Sequence, residues 1–573
     1  MGPGGSHMMG LRANESSVEG CPRGRRFLPV FLSLATAGLV GAAGVLPGAV
    51  AADPRRAAPS LVCGALRSDT TFDQDVRQLG RQHACEHLES RTSTGSFVAH
   101  GHEQARSLAT AAVAAAGDDP ASSGSWSAAV QPSTRAIGIT SVLLHTGKVL
   151  LFGGTTSAGS VNTAAYLFDP VTGTGRDVPA PAPVFCGSVV QISDGRVLSV
   201  GGANPVPKGI KNVYLFDPIS EKWVRQPDTP LGRYYPTSTR LPDGKVLIAA
   251  GTQPDGVTRN PKIELFTPPA AGGAVGSLAV VGPDHPTTFY PKQWVMPDGR
   301  MLQLASGGTS RFDPATRTWT TLRSKPVTTG AAAGGLMVAG PPSGSNSVMV
   351  MGGDPTSTNI RTVQRYDYAT NTWTRKADMP TARAHMNVVQ VPDGTAIGIG
   401  GNGTGLSGTP QYAAMSYNPG TDVWTNLASQ APRRAYHSTA VLLPDGRIMS
   451  AGDDKAGGGG GLIDFYSPPY LFAGPRPTIT SAPSQVGNGG RFTLGTSGAA
   501  VTRAVLVAPG ATTHGVDMNT RHVELAVTSA GNGSFTATAP SARVAPPGHY
   551  MLFAVTAAGV PSVAKWVHVG PLN

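Results

Sequence analysis

Five side chains able to bind a transition metal or carry an unpaired electron recur at one spacing. Counting eight residues back from Asp194, Asp243, Asp298, Asp393 and Asp445 reaches Cys186, Tyr235, Tyr290, His385 and His437. The same count from Thr146 and Ser343 reaches Gly138 and Gly335, so two members of the series carry no side chain. An even offset keeps one face of an extended strand, so the five side chains are expected to point the same way at one height. Tyr436 stands next to His437. A thiol, phenols and imidazoles gathered at one level point to a site rather than to inert polar lining. Imidazole nitrogen and phenolate oxygen suit a tetragonal copper(II) centre, whereas a structural zinc would require four tetrahedral His or Cys ligands. One copper ion per chain is the expected cofactor.

The reference points of that count belong to a repeat. An apolar stretch, a turn of the form x-D-G or a close variant, a second apolar stretch and an aromatic-Asp-Pro element recur with turn glycines at 147, 195, 244, 299, 344, 394 and 446. Asp-Gly between two strand-like runs is a hairpin signal. The outer half of the unit recurs as YLFDP at 166 and 214, LFTP at 265, RFDPATRTW at 311, RYDYATNTW at 365 and YNPGTDVW at 417. Units of about 50 residues with this pattern are kelch-type propeller blades. The expected fold is all-β: a seven-bladed kelch-type β-propeller over 133–472, then an immunoglobulin-like β-sandwich over 475–573, where short alternating strands replace the blade pattern. The convergent side chains then sit at the mouth of the central channel.

Composition agrees with many short strands. Gly (74) and Pro (49) are abundant among 573 residues, and charged residues make up only 14%, which disfavours coiled coils and long helical bundles. The net charge of +11 is spread thinly, without a basic run of five, so no nucleic-acid partner is expected. Residues 1–51 combine tag-like residues with a secretory signal: Arg23, Arg25 and Arg26 precede an apolar stretch from Phe27 to Val50, and Ala49 and Ala51 form a small-residue cleavage site. Cleavage after Ala51 gives a secreted or cell-surface protein with no membrane partner; an uncleaved anchor is the competing reading. Arg25-Arg26 weakly resembles a twin-arginine export signal. Residues 52–132 form an N-terminal segment and linker. Within it Cys63 and Cys85 are expected to pair as a disulfide in an oxidising compartment, which leaves Cys186 outside any disulfide.

Over about 135–570 the chain resembles the copper radical oxidases, the galactose oxidase and glyoxal oxidase family. The matching motifs are VFCG at 184–187, RYYPT at 233–237, RRAYHSTAVLLPDGR at 433–447 and TTHGVDMNTRHVEL at 512–525, followed by GHYMLFAV and GVPSVA. The resemblance implies that Tyr235 is an equatorial copper ligand cross-linked to Cys186 by a thioether. It implies Tyr436 as the axial tyrosinate and general base, and His437 and His514 as the imidazole ligands. It further implies a Cys-Tyr radical as the second one-electron store, so that an aldehyde or primary alcohol is oxidised while dioxygen becomes hydrogen peroxide. His514 must then enter the channel from the C-terminal domain.

Galactose oxidase stacks a tryptophan, 18 residues after the cross-linked tyrosine, on that ring; here the position is Gln253. Trp294 and Tyr290 are the candidates for that role, and Arg233, Tyr290, Trp294 and His385 for substrate contacts or support of the ligands. The N-terminal segment does not resemble the carbohydrate-binding sandwich of galactose oxidase. Small aldehydes such as glyoxal or glycolaldehyde, or a primary alcohol on a cell-surface glycan, are therefore favoured over free galactose. Two other readings fit the same residues: a secreted propeller that binds glycans or proteins without turnover, and a copper-binding protein without catalysis.

Overall fold

The computed structural model describes residues 119–572 apart from 133–135, 155–162, 271, 306–307, 329–332, 342, 354–360, 404–408 and 455–458. The expected signal and the Cys63–Cys85 pair lie outside the described residues.

Among the described residues, seven sheets repeat one topology, each with an innermost strand followed outward by antiparallel neighbours. The innermost strands are Thr140–Leu143, Ser188–Gln191, Tyr234–Arg240, Lys292–Val295, Gly334–Met337, Asn387–Gln390 and Ser438–Leu442. The hairpin joining each to its neighbour explains the Asp-Gly signal. The carboxylates of Asp194, Asp243, Asp298, Asp393 and Asp445 accept the backbone N–H two residues on, at 2.8–3.1 Å. The intervening glycine takes a positive φ, 87° at Gly195 and 90° at Gly446, which a residue with a Cβ rarely adopts. The second strands, Val149–Phe152, Val197–Val200 and Ser347–Met351 among them, are buried on both faces, because each sheet packs against its neighbours in the ring; this is why they read as largely apolar runs.

The last sheet borrows its outermost strand. Ser125–Trp126 pairs antiparallel with Asp464–Ser467, so sequence from before residue 133 completes it. The early chain therefore ties down the late chain, and Tyr466 closes the join by donating its hydroxyl to the Ser123 carbonyl at 2.6 Å.

The C-terminal part forms a sandwich. One sheet contains Thr478–Ser481, Arg491–Ser497, Ser534–Thr538 and Ala526–Gly531; the other contains Gln485–Val486, Lys565–Val569, Gly548–Thr556, Val501–Val507 and His522–Glu524. Leu494, Leu506, Ala537, Leu552 and Val567 fill the space between them. From this domain a hairpin projects into the propeller. Its strand Ala511–Thr513 pairs with the inner strand Thr140–Leu143, Thr513 standing opposite Thr140, and Val516–Asp517 returns. At the tip, a Cβ on Gly515 would lie 2.8 Å from the Met386 carbonyl, so only glycine admits this close approach.

Candidate metal centre

The counted residues do converge, for a reason other than strand alternation. Cys186, Tyr290, His385 and His437 each precede their inner strand, and Tyr235 interrupts its pairing. All five hold positive φ: 57°, 65° (Tyr235), 40°, 58° and 66° respectively, and Gly138 at the equivalent position of the first sheet has 79°. A left-handed residue with a side chain is costly, and such residues gather at functional sites. The conformation turns the main chain sideways, so that Tyr235 N–H donates to the Cys186 carbonyl and Tyr290 N–H to the Tyr235 carbonyl, both at 3.0 Å. Three counted residues are thus laced together by main-chain bonds before any side chain acts.

The side chains are buried, from 0% exposed for Cys186 to 5% for His385. The Cys186 Sγ lies 3.3 Å from His514 Nε2. The donor atoms of Cys186, His437 and His514 fall within 4.8 Å of one another. The Tyr235 and Tyr436 hydroxyls are in direct hydrogen-bond contact. The His514 ring centre is 4.6 Å from that of His437, 5.0 Å from that of Tyr235 and 5.4 Å from that of Tyr436. Both phenols and both imidazoles named from the sequence therefore meet at one point.

Neighbours fix the two imidazoles. The Thr513 hydroxyl donates to the Ile139 carbonyl at 2.9 Å, which leaves its oxygen to accept Nδ1–H of His514 at 2.6 Å. His437 Nδ1 bonds the Asp454 carboxylate at 2.7 Å. In each ring the proton resides on Nδ1, and Nε2 keeps its lone pair for the centre. Burial, then the neighbouring Tyr234 and Tyr436, push the Tyr235 phenol well above its ordinary range. The protein alone disfavours the phenolate there, and a bound cation reverses that preference. Two imidazole nitrogens and two phenol oxygens fit copper(II).

Several expected roles change. Arg233 is fully buried and consumed in an ion pair with Glu264 and in bonds to the Ala250 and Lys262 carbonyls, so it is a structural strut rather than a substrate contact. Trp294 packs with Leu302 and Val350 in the wall between sheets. The ring stacked on Tyr235 is Tyr234, at 4.0 Å between centres and 23° between planes. Tyr290 tilts against Tyr235 at 4.8 Å and donates its hydroxyl to the Gly187 carbonyl at 3.0 Å. Stacking from the adjacent residue is possible because the positive φ at Tyr235 folds one ring over the other. His385 stands edge-on to Tyr436 at 4.7 Å, and neither of its ring nitrogens has a hydrogen-bond partner among the described residues. Burial foremost, then the charges of His437 and Lys292, lower its pKa to about 3. Asp454, Thr513 and Tyr234 were not assigned roles from the sequence; two of them lie inside recognised motifs, and Asp454 follows the seventh inner hairpin.

Comparison with known proteins gives the same picture. The sequence signature of the glyoxal oxidase N-terminus matches residues 160–457, and that of the galactose oxidase-like early set domain matches 476–569. Galactose oxidase of Gibberella zeae is 28% identical over 463 residues, covering 73% of this chain and 65% of the relative. This chain thus spans just under two thirds of that relative's length. Aldehyde oxidase GLOX of Vitis pseudoreticulata is 29% identical over 462 residues, covering 71% of this chain and 86% of the relative. A solved fungal alcohol oxidase of the AA5 family, in complex with copper, superposes with a TM-score of 0.66 over 78% of this chain and all of its own, at 23% identity, a likeness of fold. With its central half matched by one family signature and its C-terminal domain by the companion signature, the chain belongs to the glyoxal oxidase family.

Proposed function

We propose that the protein is a mononuclear copper radical oxidase that converts small aldehydes or primary alcohols with reduction of dioxygen to hydrogen peroxide. The observation that carries this reading is the convergence of Cys186, His437 and His514 around the touching hydroxyls of Tyr235 and Tyr436. His437, His514, Tyr235 and Tyr436 would hold one copper ion. Bound there, copper would supply one of the two one-electron acceptors that the reaction needs, stabilise phenolate over phenol and allow reoxidation by dioxygen.

The chain supplies the rest. Cys186, next to Tyr235 in the same buried cluster, would join the ring through a thioether and make its one-electron oxidation easier. The Tyr436 oxygen would accept the hydroxyl proton of the alcohol, or of the hydrate that an aldehyde forms with water, and the Tyr235 radical would take the hydrogen atom from the carbon that bears this hydroxyl, leaving an aldehyde from an alcohol and a carboxylic acid from a hydrate. Tyr234, stacked on Tyr235, shields that radical from solvent. The names of the relatives, galactose oxidase and aldehyde oxidase, support the reaction class. Export through the signal in residues 1–51, and glyoxal-like aldehydes or glycan hydroxymethyl groups as substrates, are part of the same proposal.

A panel of alcohols and aldehydes, with peroxide detected through a coupled peroxidase, tests it. Copper-loaded protein should produce one peroxide per substrate oxidised, and Tyr436→Phe should be about 10²–10⁴-fold slower. Absence of peroxide across the panel, with copper bound, would remove the oxidase reading.

A further inference from the structure

The two imidazoles of the centre are backed by unlike groups. Behind His514 stands the neutral Thr513 hydroxyl, whose own proton is spent on the Ile139 carbonyl. Behind His437 stands the Asp454 carboxylate, 6% exposed, against 5% for the His437 side chain.

The main chain sets this up. Asp453 N–H donates to the His437 carbonyl at 2.9 Å, which brings the next residue alongside the imidazole. The adjacent acids divide the work: the Asp453 carboxylate accepts Ala435 N–H at 2.7 Å and pairs with Arg433 at 3.3 Å, anchoring the loop. Asp454 reaches His437 Nδ1 at 2.7 Å.

We propose that Asp454 is a positioning residue that makes His437 the stronger of the two nitrogen donors and biases the centre toward the oxidised metal. This rests on the copper reading given above. A hydrogen bond between Nδ1–H and a buried carboxylate is charge-assisted and little screened. It draws the ring toward imidazolate, raises the basicity of Nε2 and locks the ring's orientation. The negative charge also favours the more positive metal state. The Thr513 hydroxyl fixes a tautomer and adds no charge, so the centre has one electron-rich and one ordinary imidazole.

The test is copper(II) titration of the full chain against a competing chelator, with electron paramagnetic resonance spectra and a reduction potential, on wild type, Asp454→Ala, Asp454→Asn and Thr513→Val. Asp454→Ala should bind copper(II) about 10–100-fold more weakly. Asp454→Asn keeps an acceptor of the same shape, so it should lose less affinity while its copper hyperfine splitting changes and its potential rises. Thr513→Val should lose less affinity than Asp454→Ala. Metal-free melting curves identify any variant that fails to fold, and the isosteric Asn variant then carries the test. Wild-type affinity and spectrum in Asp454→Asn overturns the proposal, as does a loss in Thr513→Val equal to that in Asp454→Ala. If wild type itself holds no copper, the underlying copper reading falls, an outcome distinct from these.

Discussion

The Arg233 guanidinium lies 2.7 Å from the Glu264 carboxylate, and neither side chain is exposed to solvent. Arg434 and Asp464 form the same arrangement in the last sheet at 2.8 Å, likewise with no exposure. Arg383 occupies the corresponding place in the sixth sheet with carbonyls of Gly400 and Ala413 as partners. These arginines thread from the ring of counted residues back through the blade and tie its strands together.

Truncating Arg233 should therefore act on stability rather than on substrate affinity. Arg233→Ala leaves the Glu264 carboxylate buried without its cation, a loss of roughly 3–5 kcal/mol. Melting of the purified variant measures it. A variant that melts like wild type and shows only a raised KM would restore Arg233 to the substrate site.

Cys186 should be changed by the protein's own chemistry. Its sulfur and the Tyr235 ring share a buried cluster, and their backbones are hydrogen-bonded. Aerobic copper loading should yield a chain lighter by the two hydrogens lost in thioether formation, seen by intact-mass measurement. Cys186→Ser should keep copper, show no mass loss, and turn over at least roughly 100-fold more slowly, about 2.7 kcal/mol of lost transition-state stabilisation. Full activity in that variant would exclude a role for the cross-link.

Much of this centre was legible because the repeat supplies a coordinate system. Counting from the hairpin Asp located Cys186, Tyr235, Tyr290, His385 and His437, even though they align through a shared left-handed turn and not through one face of a strand. A sequence does not display φ directly, so the rule worked while its stated cause did not. His514 was reachable only through motif resemblance, since it comes from another domain and lies outside the repeat. Asp454, Thr513 and the stacking of Tyr234 were out of reach because each depends on where one side chain points after the main chain has turned. The direction of Arg233 was out of reach for a related reason: its place within the RYYPT motif says nothing of where the side chain points, which is toward Glu264.

Acid should loosen the junction between the propeller and the C-terminal domain. His145, from the first inner hairpin, stacks on His549 at 4.1 Å, and His549 lies 4.9 Å from His568, whose Nε2 donates to the Ser193 carbonyl. Asp194, which is paired with Arg196, together with Asp217 and Arg240, completes the charged surroundings. Burial foremost, then His145, His568 and Arg240, bring His549 down to about 3. Its folded value lies below the unfolded one near 6.5, so the unfolded chain binds the extra proton between those limits. Stability is then fully present above about pH 6.5 and is lost as pH falls toward 3. The loss between pH 7 and about pH 4.5 should be on the order of 2 kcal/mol from His549. Melting against pH measures it, and His549→Asn should flatten that slope; an unchanged slope refutes the assignment.

The ring of sheets is latched by tryptophans, with one latch open. Trp223 Nε1 donates to the Val178 carbonyl at 2.9 Å, Trp373 to Arg323 at 2.8 Å, Trp424 to Ala377 at 3.0 Å and Trp126 to Ala428 at 2.9 Å. Each bond joins one sheet to the sheet before it. Trp319 holds the equivalent place in the fourth sheet, yet its Nε1 is buried with no hydrogen-bond partner among the described residues, and its ring is covered by His285 at 3.7 Å. Substituting phenylalanine removes the indole N–H in either case. At Trp373 it also removes a solvent-exposed hydrogen bond to the Arg323 carbonyl, which water can then satisfy, whereas at Trp319 it deletes an unsatisfied donor, so Trp373→Phe should cost about 0.5–1.5 kcal/mol more than Trp319→Phe. Parallel denaturant titrations of the two variants measure that difference, and equal losses would mean that packing of the indoles, not their hydrogen bonds, holds neighbouring sheets together.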